Sequence, residues 1–457
     1  MNAAVIRSTR RAYLSKIRLK KTLWLILFFV VILFPVVVIL VTNLQNNTWR
    51  EWQRDLASCC GYLGLSLMIL SFIPITRERY VTNSFNMDSV YKFHHAFSTI
   101  GFWLATAHLV ILWINNFSIA SLLNVFSSLP LYSKAGTLAL FAAALLVYFS
   151  YSRKELKINY DFWKIGHSLI AIAMVVFGMI HILGINYYTK NPLIYGYYVL
   201  LVFLAVCAIF WLRLNAGLIE LQKPYKIVDV RVMNNSTTEI TLEFVGSEKQ
   251  KPVAYRAGQI AWITVRRSPF AFRKHPFSIA SSDVNQKIVK FAIRELGDFT
   301  STIKDMKVGE RVYIEGGFGT FDLDKLGDEG FVIIAGGIGI APAMSIVRTM
   351  AEKGDKRKVV LFYGSRDVDS IGFYQELTDL SKKMNLEVVH VLERTDDPKF
   401  EKGYITTDVL RRHFPKNKDR YDVFICGPAP MLEIVQKSMK EMGIPKDNIW
   451  EEYYNMA

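Results

Sequence analysis

Cysteine is scarce: the 457 residues hold four, two of them adjacent at Cys59 and Cys60 inside an apolar run, and none sits in a CxxC pattern. That spacing excludes a zinc ribbon, an iron–sulfur cluster and a disulfide framework. Charge is missing from long stretches of the first half, and the runs Thr22–Trp49, Leu56–Thr76, Phe93–Ser133, Ala135–Ser152, Ile165–Thr189 and Asn191–Leu212 carry none. Each supplies the roughly 20 apolar residues that cross a bilayer as a helix. No small-residue cleavage pattern follows the first run, which is therefore a retained span and not a signal peptide. Acidic residues are outnumbered by basic ones, for a net charge of +15. Much of that excess flanks the apolar runs, which points to a membrane and away from nucleic acid.

Seven basic residues (Arg7, Arg10, Arg11, Lys16, Arg18, Lys20, Lys21) precede the first span. The second-to-third connection holds Arg77 and Arg79, and the fourth-to-fifth holds Arg153, Lys154 and Lys157. The other connections are poorer, so both termini are expected in the cytoplasm of a cell-membrane protein. The opening basic segment, residues 1–21, is expected to lie along anionic headgroups.

Five of eight histidines fall in the third and fifth spans, where ionisable groups are costly and usually functional. His94 and His108 are 14 residues apart, as are His167 and His181. At about 100° per residue, that separation returns a side chain to within about 40° of the same helix face, about 21 Å further on. Two such helices clamp two metal centres at different depths, with His94 opposite His167 and His108 opposite His181. His95 is about 140° out of phase with His108 and is expected to be a neighbour only. The bland alternative is hydrogen bonding between helices or a proton path, and two equal separations argue against it. Two axial imidazoles per haem iron leave no open position, which suits electron transfer.

From Tyr225 onward, short alternating segments such as KIVDVRV, EITLEF and QIAWITV predict an antiparallel barrel. The segment FVIIAGGIGIAPAMSIV then predicts a buried strand, a glycine turn at Gly336, Gly337 and Gly339, and a helix opening near Pro342. Its glycines let a dinucleotide's phosphates approach backbone at a helix start, although the spacing is not GxGxxG. VVLFYGSRD and DVFICGPAPML fit later strand ends of the same α/β unit.

In this order the motifs resemble the NADPH oxidase and ferric reductase family. His275, Pro276, Phe277 and Ser278 match its HPF-Ser/Thr segment, which the family places along the isoalloxazine ring of FAD. Arg294, Gly297, Asp298, Phe299 and Thr300 match the segment it places near the diphosphate. The second half is similar to the ferredoxin-NADP reductase group. That resemblance implies that Ser365 and Arg366 meet the 2′-phosphate of NADPH, with NADH a second choice, unless Arg366 pairs with Asp367 instead. It puts Cys426, Gly427 and Pro428 by the nicotinamide, with a small buried hydrophobe as the alternative role for Cys426. Relatives carry an aromatic over the flavin near the C-terminus; Tyr454 is the candidate and Tyr453 the second, where the family usually has Phe.

The resemblance implies a multidomain fold: a six-span α-helical di-haem domain (22–217), a ferredoxin-NADP reductase-like FAD β-barrel (218–325) and an NADPH-binding α/β domain (326–457). The expected activity is electron transfer from NADPH through FAD and two haem b groups to O2, yielding superoxide. The second reading is a ferric or cupric reductase on the same scaffold. A third, a haem subunit serving a partner reductase, is disfavoured by the built-in flavin and nucleotide motifs. No calcium loop or other regulatory sequence is present, so no obligatory cytosolic activator is expected.

Overall fold

The computed structural model describes residues 3–46, 52–82, 84–114, 123–126, 128–211, 214, 216–266, 268–270 and 274–453. They form two compact units: residues 20–81 with 89–215, and residues 1–19 and 82–88 with 216–457.

The first unit is helical because uncharged apolar runs satisfy their backbone in lipid only by internal hydrogen bonds. Its long helices are α1 (Ala3–Asn46, entering from the other unit), α2 (Trp52–Leu70), α3 (Met87–Ile114), α4 (Leu131–Ser152), α5 (Tyr160–Ile185) and α6 (Pro192–Phe210). All six are long and apolar enough to cross a membrane. Asn159 caps α5 by accepting from the Asp161 amide at 2.9 Å, and Asn191 caps α6 by accepting from the Leu193 amide at 3.0 Å. Glycine lets α2 and α3 meet backbone to backbone: a Cβ on Gly64 would stand 2.8 Å from the Gly101 carbonyl oxygen. Tyr62, Leu65, Met68, Met174, Ile182, Tyr198 and Leu201 fill the centre.

In the second unit a short helix, α7 (Ala216–Leu221), precedes a barrel. The barrel strands are β1 (Tyr225–Asn234), β2 (Thr237–Phe244), β3 (Ile260–Val265), β4 (His275–Ser278), β5 (Ile288–Arg294) and β6 (Arg311–Phe318), with a single helical turn α8 (Asp298–Ser301) after β5. Their order is β4-β3-β6-β1-β2-β5, every pairing is antiparallel, and an Ile279–Phe291 bridge joins the two edges. Next come β7 (Gly330–Gly336), α9 (Ile340–Glu352), β8 (Lys358–Ser365), α10 (Tyr374–Lys383), β9 (Leu386–Leu392), β10 (Glu401–Lys402), α11 (Thr407–His413), β11 (Tyr421–Gly427), α12 (Ala429–Glu441) and β12 (Ile449–Tyr453). This sheet is wholly parallel in the order β10-β9-β8-β7-β11-β12, with apolar clusters on both faces, as helix-covered parallel sheets require.

The basic segment before the first span departs from expectation. It is the beginning of α1, and its residues 3–19 belong to the second unit. Arg10 donates to both carboxylate oxygens of Asp422, at 3.0 and 3.2 Å, and to the Asn448 side chain at 2.7 Å. Tyr13 donates to the Thr320 carbonyl at 2.6 Å and its ring stacks on Trp450, while Arg18 pairs with Asp447. A fork-shaped guanidinium is held better by a buried carboxylate than by mobile headgroups. Asp422 also accepts from the Trp450 indole and the Gly327 amide, so Arg10→Ala leaves that carboxylate partly satisfied. The expected cost is about 1–3 kcal/mol, read as a lower thermal midpoint of the second unit and faster proteolysis near residue 20.

Glu452 offers a pH test. Burial, helped by the Asp88 carboxylate, pushes its carboxyl up from 4.5 to about 8. Below pH 4.5 both folded and unfolded chains hold this proton. Between 4.5 and about 8 only the folded chain keeps it, so stability falls as pH rises through this window and levels off above it. Glu452→Gln should flatten that slope, gaining most over the parent at pH 8 and little at pH 4.5, in thermal midpoints measured across the range.

Candidate functional site

The sheet order places β8 and β11 on opposite sides of β7, so the chain reverses direction of growth at the C-terminal ends of β7 and β11. Open parallel sheets receive ligands at such a point. The glycine turn lies there, and its residue types are enforced by contact. A Cβ on Gly339 would stand 2.0 Å from the Cys426 carbonyl oxygen, and one on Gly336 would stand 2.6 Å from the Met431 sulfur. Gly337 has φ +53°, a left-handed conformation that glycine adopts without strain. Pro342 sits in the first turn of α9, where the helix needs no amide donor.

The barrel reaches the same turn. Arg294, the last residue of β5, brings Nη1 to 3.5 Å from where a Gly337 Cβ would stand, uniting two motifs 43 residues apart. On β4, the His275 ring lies flat against Phe299 with centroids 3.7 Å apart, and the Phe277 ring stacks on Phe299 as well, with centroids 6.1 Å apart. Pro276 and Ser278 point the other way along β4, and Ser278 is buried. Gly297 and Asp298 open α8, a single turn. The Thr300 hydroxyl there is engaged by the amides of Leu296 and Gly297 at 2.8 and 2.9 Å, holding the loop rather than pointing outward.

At the end of β8, the Ser365 hydroxyl is buried and has no hydrogen-bond partner among the described residues. Arg366 is exposed and forms no salt bridge among them. Its neighbour Asp367 instead caps the turn at Ser370, its carboxylate accepting from the Ser370 amide and hydroxyl, and chiefly that hydroxyl, with Arg366 and Arg394 nearby, holds the Asp367 carboxyl below its usual range. Arg394, which no motif singled out, donates its amide to the Arg366 carbonyl at 2.8 Å and sets a second guanidinium at the adjacent strand end. Cys426 is buried in the hydrophobic core at the end of β11, beside Gly427 and Pro428. Gly427 pairs in register with Tyr453; Tyr454 lies outside the described residues.

In the helical unit the four histidines meet in two couples. His94 and His167 have ring centroids 6.2 Å apart, and His108 and His181 6.1 Å. Because both couples link α3 to α5, these helices run in the same direction. The Nδ1 atoms are all turned away: to the carbonyls of Ser71 (3.0 Å), Ala57 (2.7 Å) and Tyr132 (2.9 Å) for His94, His108 and His181, and to the Ser150 hydroxyl (3.4 Å) for His167. A carbonyl only accepts, so in His94, His108 and His181 Nδ1 carries the proton and Nε2 keeps its lone pair, the arrangement of a metal-binding imidazole. A ring radius of about 1.1 Å and a metal–nitrogen bond of about 2.0 Å on either side come to about 6.2 Å. A Cβ on Gly136 would stand 2.5 Å from the His181 Nδ1, so only glycine fits behind that ring. His95 is exposed and packs edge-on against Tyr151, out of both couples. These carbonyl anchors had no signal in the sequence, because any residue type supplies a carbonyl.

Three known families match in succession: "Ferric reductase like transmembrane component" over residues 60–178, "FAD-binding domain" over 222–334 and "Oxidoreductase NAD-binding domain" over 333–437. Among curated proteins, Sulfhydrogenase 2 subunit gamma of Pyrococcus furiosus is 28% identical over 239 residues, 49% of this chain and 81% of that protein. NADH-cytochrome b5 reductase 1 of Candida glabrata is 30% identical over 155 residues, 33% of this chain and 54% of that protein. Thus the chain covers less than two thirds of some of these relatives' own length. A solved flavohemoglobin from Malassezia yamatoensis aligns with TM-score 0.50 and 18% identity over 88% of this chain and 96% of that one, a likeness of fold alone. The three family matches, in this order on one polypeptide, are the architecture of the NADPH oxidase / ferric reductase family, and this protein belongs to it.

Proposed function

We propose that this protein is a transmembrane NADPH oxidase that moves electrons from cytosolic NADPH, through FAD and two haems, to O2 on the far side of the membrane, with superoxide as the product. The observation that carries the reading is the spacing of the histidine couples, 6.2 and 6.1 Å between rings, on helices where a lone imidazole would be costly. Among the described residues no group of three or more His, Cys, Asp or Glu gathers, so a metal held by each couple takes its other ligands from a group of its own, as haem does. His94 and His167 would hold the inner haem, and His108 and His181 the outer.

When bound, FAD takes up two electrons with a proton and releases electrons singly, and haem carries them one at a time. The chain supplies binding and orientation. Arg294 and the glycine turn offer positive charge and open backbone to phosphates, while His275, Phe277 and Phe299 form the aromatic wall beside which an isoalloxazine ring fits. Ser365 and Arg366 would take the 2′-phosphate, with NADH as the weaker donor. The end of β11 at Cys426, Gly427 and Pro428 borders the nicotinamide position, and Tyr454 would cover the flavin until the nicotinamide displaces it. With His94 and His167, and His108 and His181, holding the two irons, a bound haem would offer the acceptor only its edge. The basic residues flanking the spans put both termini in the cytoplasm, and a chain that carries its own flavin and nucleotide sites turns over without a separate activator.

The matched transmembrane family, described as ferric reductase like, favours a second reading in which a ferric or cupric chelate is the acceptor. The deciding experiment is ferricytochrome c reduction by the purified, FAD-loaded chain with NADPH in air, with and without superoxide dismutase. Loss of most of the signal on adding dismutase is the expected result; reduction that persists unchanged replaces the oxidase with the metalloreductase. His108→Leu should lower haem content by about one of two equivalents and cut acceptor reduction at least tenfold, while anaerobic bleaching of the flavin by NADPH continues.

A further inference from the structure

The side of α9 that faces the barrel is a stripe of polar groups at Ser345, Arg348 and Thr349, spaced to share one helix face and continued by the C-cap residue Lys353. Ser345 donates to the Ser281 carbonyl at 2.6 Å and accepts from the Gly258 amide at 3.4 Å. Thr349 accepts from the Asp283 amide at 3.0 Å, and Lys353 meets the Asp283 carboxylate at 3.3 Å. At the centre is Arg348, only 9% exposed. Its Nη1 donates to Glu239 of β2 at 3.0 Å and to the Ala280 carbonyl at 2.8 Å, and its Nε and Nη2 grip both oxygens of Glu376 on α10 at 2.7 Å. One guanidinium therefore ties the barrel, the nucleotide helix and α10 together. Only an arginine fork serves three partners in fixed directions.

We infer that Arg348 is a positioning residue for hydride transfer: it locks α9 to the segment 280–283, just after the HPFS strand, and so sets the distance between the flavin and the nicotinamide. This rests on the FAD and NADPH reading above. In that step a hydride leaves the dihydronicotinamide and joins the oxidised flavin, which gains both electrons and becomes reduced as the nicotinamide becomes oxidised. The chain supplies geometry, and reacting atoms must come to about 3–3.5 Å. The glycine turn lies about 14 Å up the helix from Arg348, so a tilt of about 4° there displaces it by about 1 Å. Arg348 touches neither ligand motif, and its effect travels through the rigid helix.

The test is Arg348→Lys, which keeps the charge and loses the fork. The rate constant of anaerobic flavin reduction at saturating NADPH should fall tenfold or more. FAD content and the affinity for adenosine 2′,5′-bisphosphate, which engages the α/β domain alone, should stay within twofold. In flavin-free protein, amide exchange at Gly258 and Asp283, whose acceptors are on α9, should speed up about tenfold. If Arg348→Lys does not fold, the Arg348→Met/Glu239→Gln pair, which leaves no buried charge behind on the barrel side, is used for the same readings. An unchanged reduction rate at saturation, or unchanged exchange, overturns the inference. Parent protein whose flavin is not reduced by NADPH overturns the functional reading instead, and the inference falls with it.

Discussion

An imidazole among apolar helices has two ring nitrogens and no water to satisfy them, and that shortage organises the helical unit. Three of the four Nδ1 atoms are taken by backbone carbonyls, at Ser71, Ala57 and Tyr132. Helix carbonyls are ordinarily committed to the helix itself. Those that serve here lie near helix ends or accept a second bond, which ties the height of each ring to the ends of α2 and α4. Once Nδ1 is fixed, Nε2 has one direction left, and α3 and α5 must run parallel to bring His94 to His167 and His108 to His181. Glycine at 136 follows from the same demand, because nothing larger fits behind His181.

In the second unit the corresponding constraint is closeness of backbone. The turn at Gly336–Gly339 presses on the end of β11 so tightly that side chains have no place, and Arg294 arrives from the barrel over Gly337. The barrel and the parallel sheet thus share one crevice. Packing alone would allow them to slide, and the polar stripe of α9, centred on Arg348, removes that freedom through directional bonds to Glu239 and Ala280.

Much of this was legible in advance. The paired separations of 14 named the four histidines, because helical periodicity maps sequence distance onto a face. The glycine turn and the strand ends at Ser365 and Cys426 could be placed because a parallel sheet presents its ligands at one edge. Less could be read where the partner is a common group or lies far along the chain. Nothing local distinguishes Arg348 or Arg394 from a surface arginine. The basic tail suggested a headgroup-facing segment, yet Arg10 finds its carboxylate 412 residues away at Asp422.

By itself the sequence determined six apolar spans, a histidine-bearing pair among them, an antiparallel barrel and a nucleotide-binding sheet, since each follows from hydrophobic period, charge and turn chemistry within a short window. Only the tertiary structure decided which carbonyl holds each imidazole, that Cys426 lies in the core, that Thr300 turns back on its own loop, and that α1 begins against the nucleotide domain. The physical reason is that these depend on distances between residues far apart in the chain, and a guanidinium or a carbonyl has no preference for one remote partner until the fold presents it.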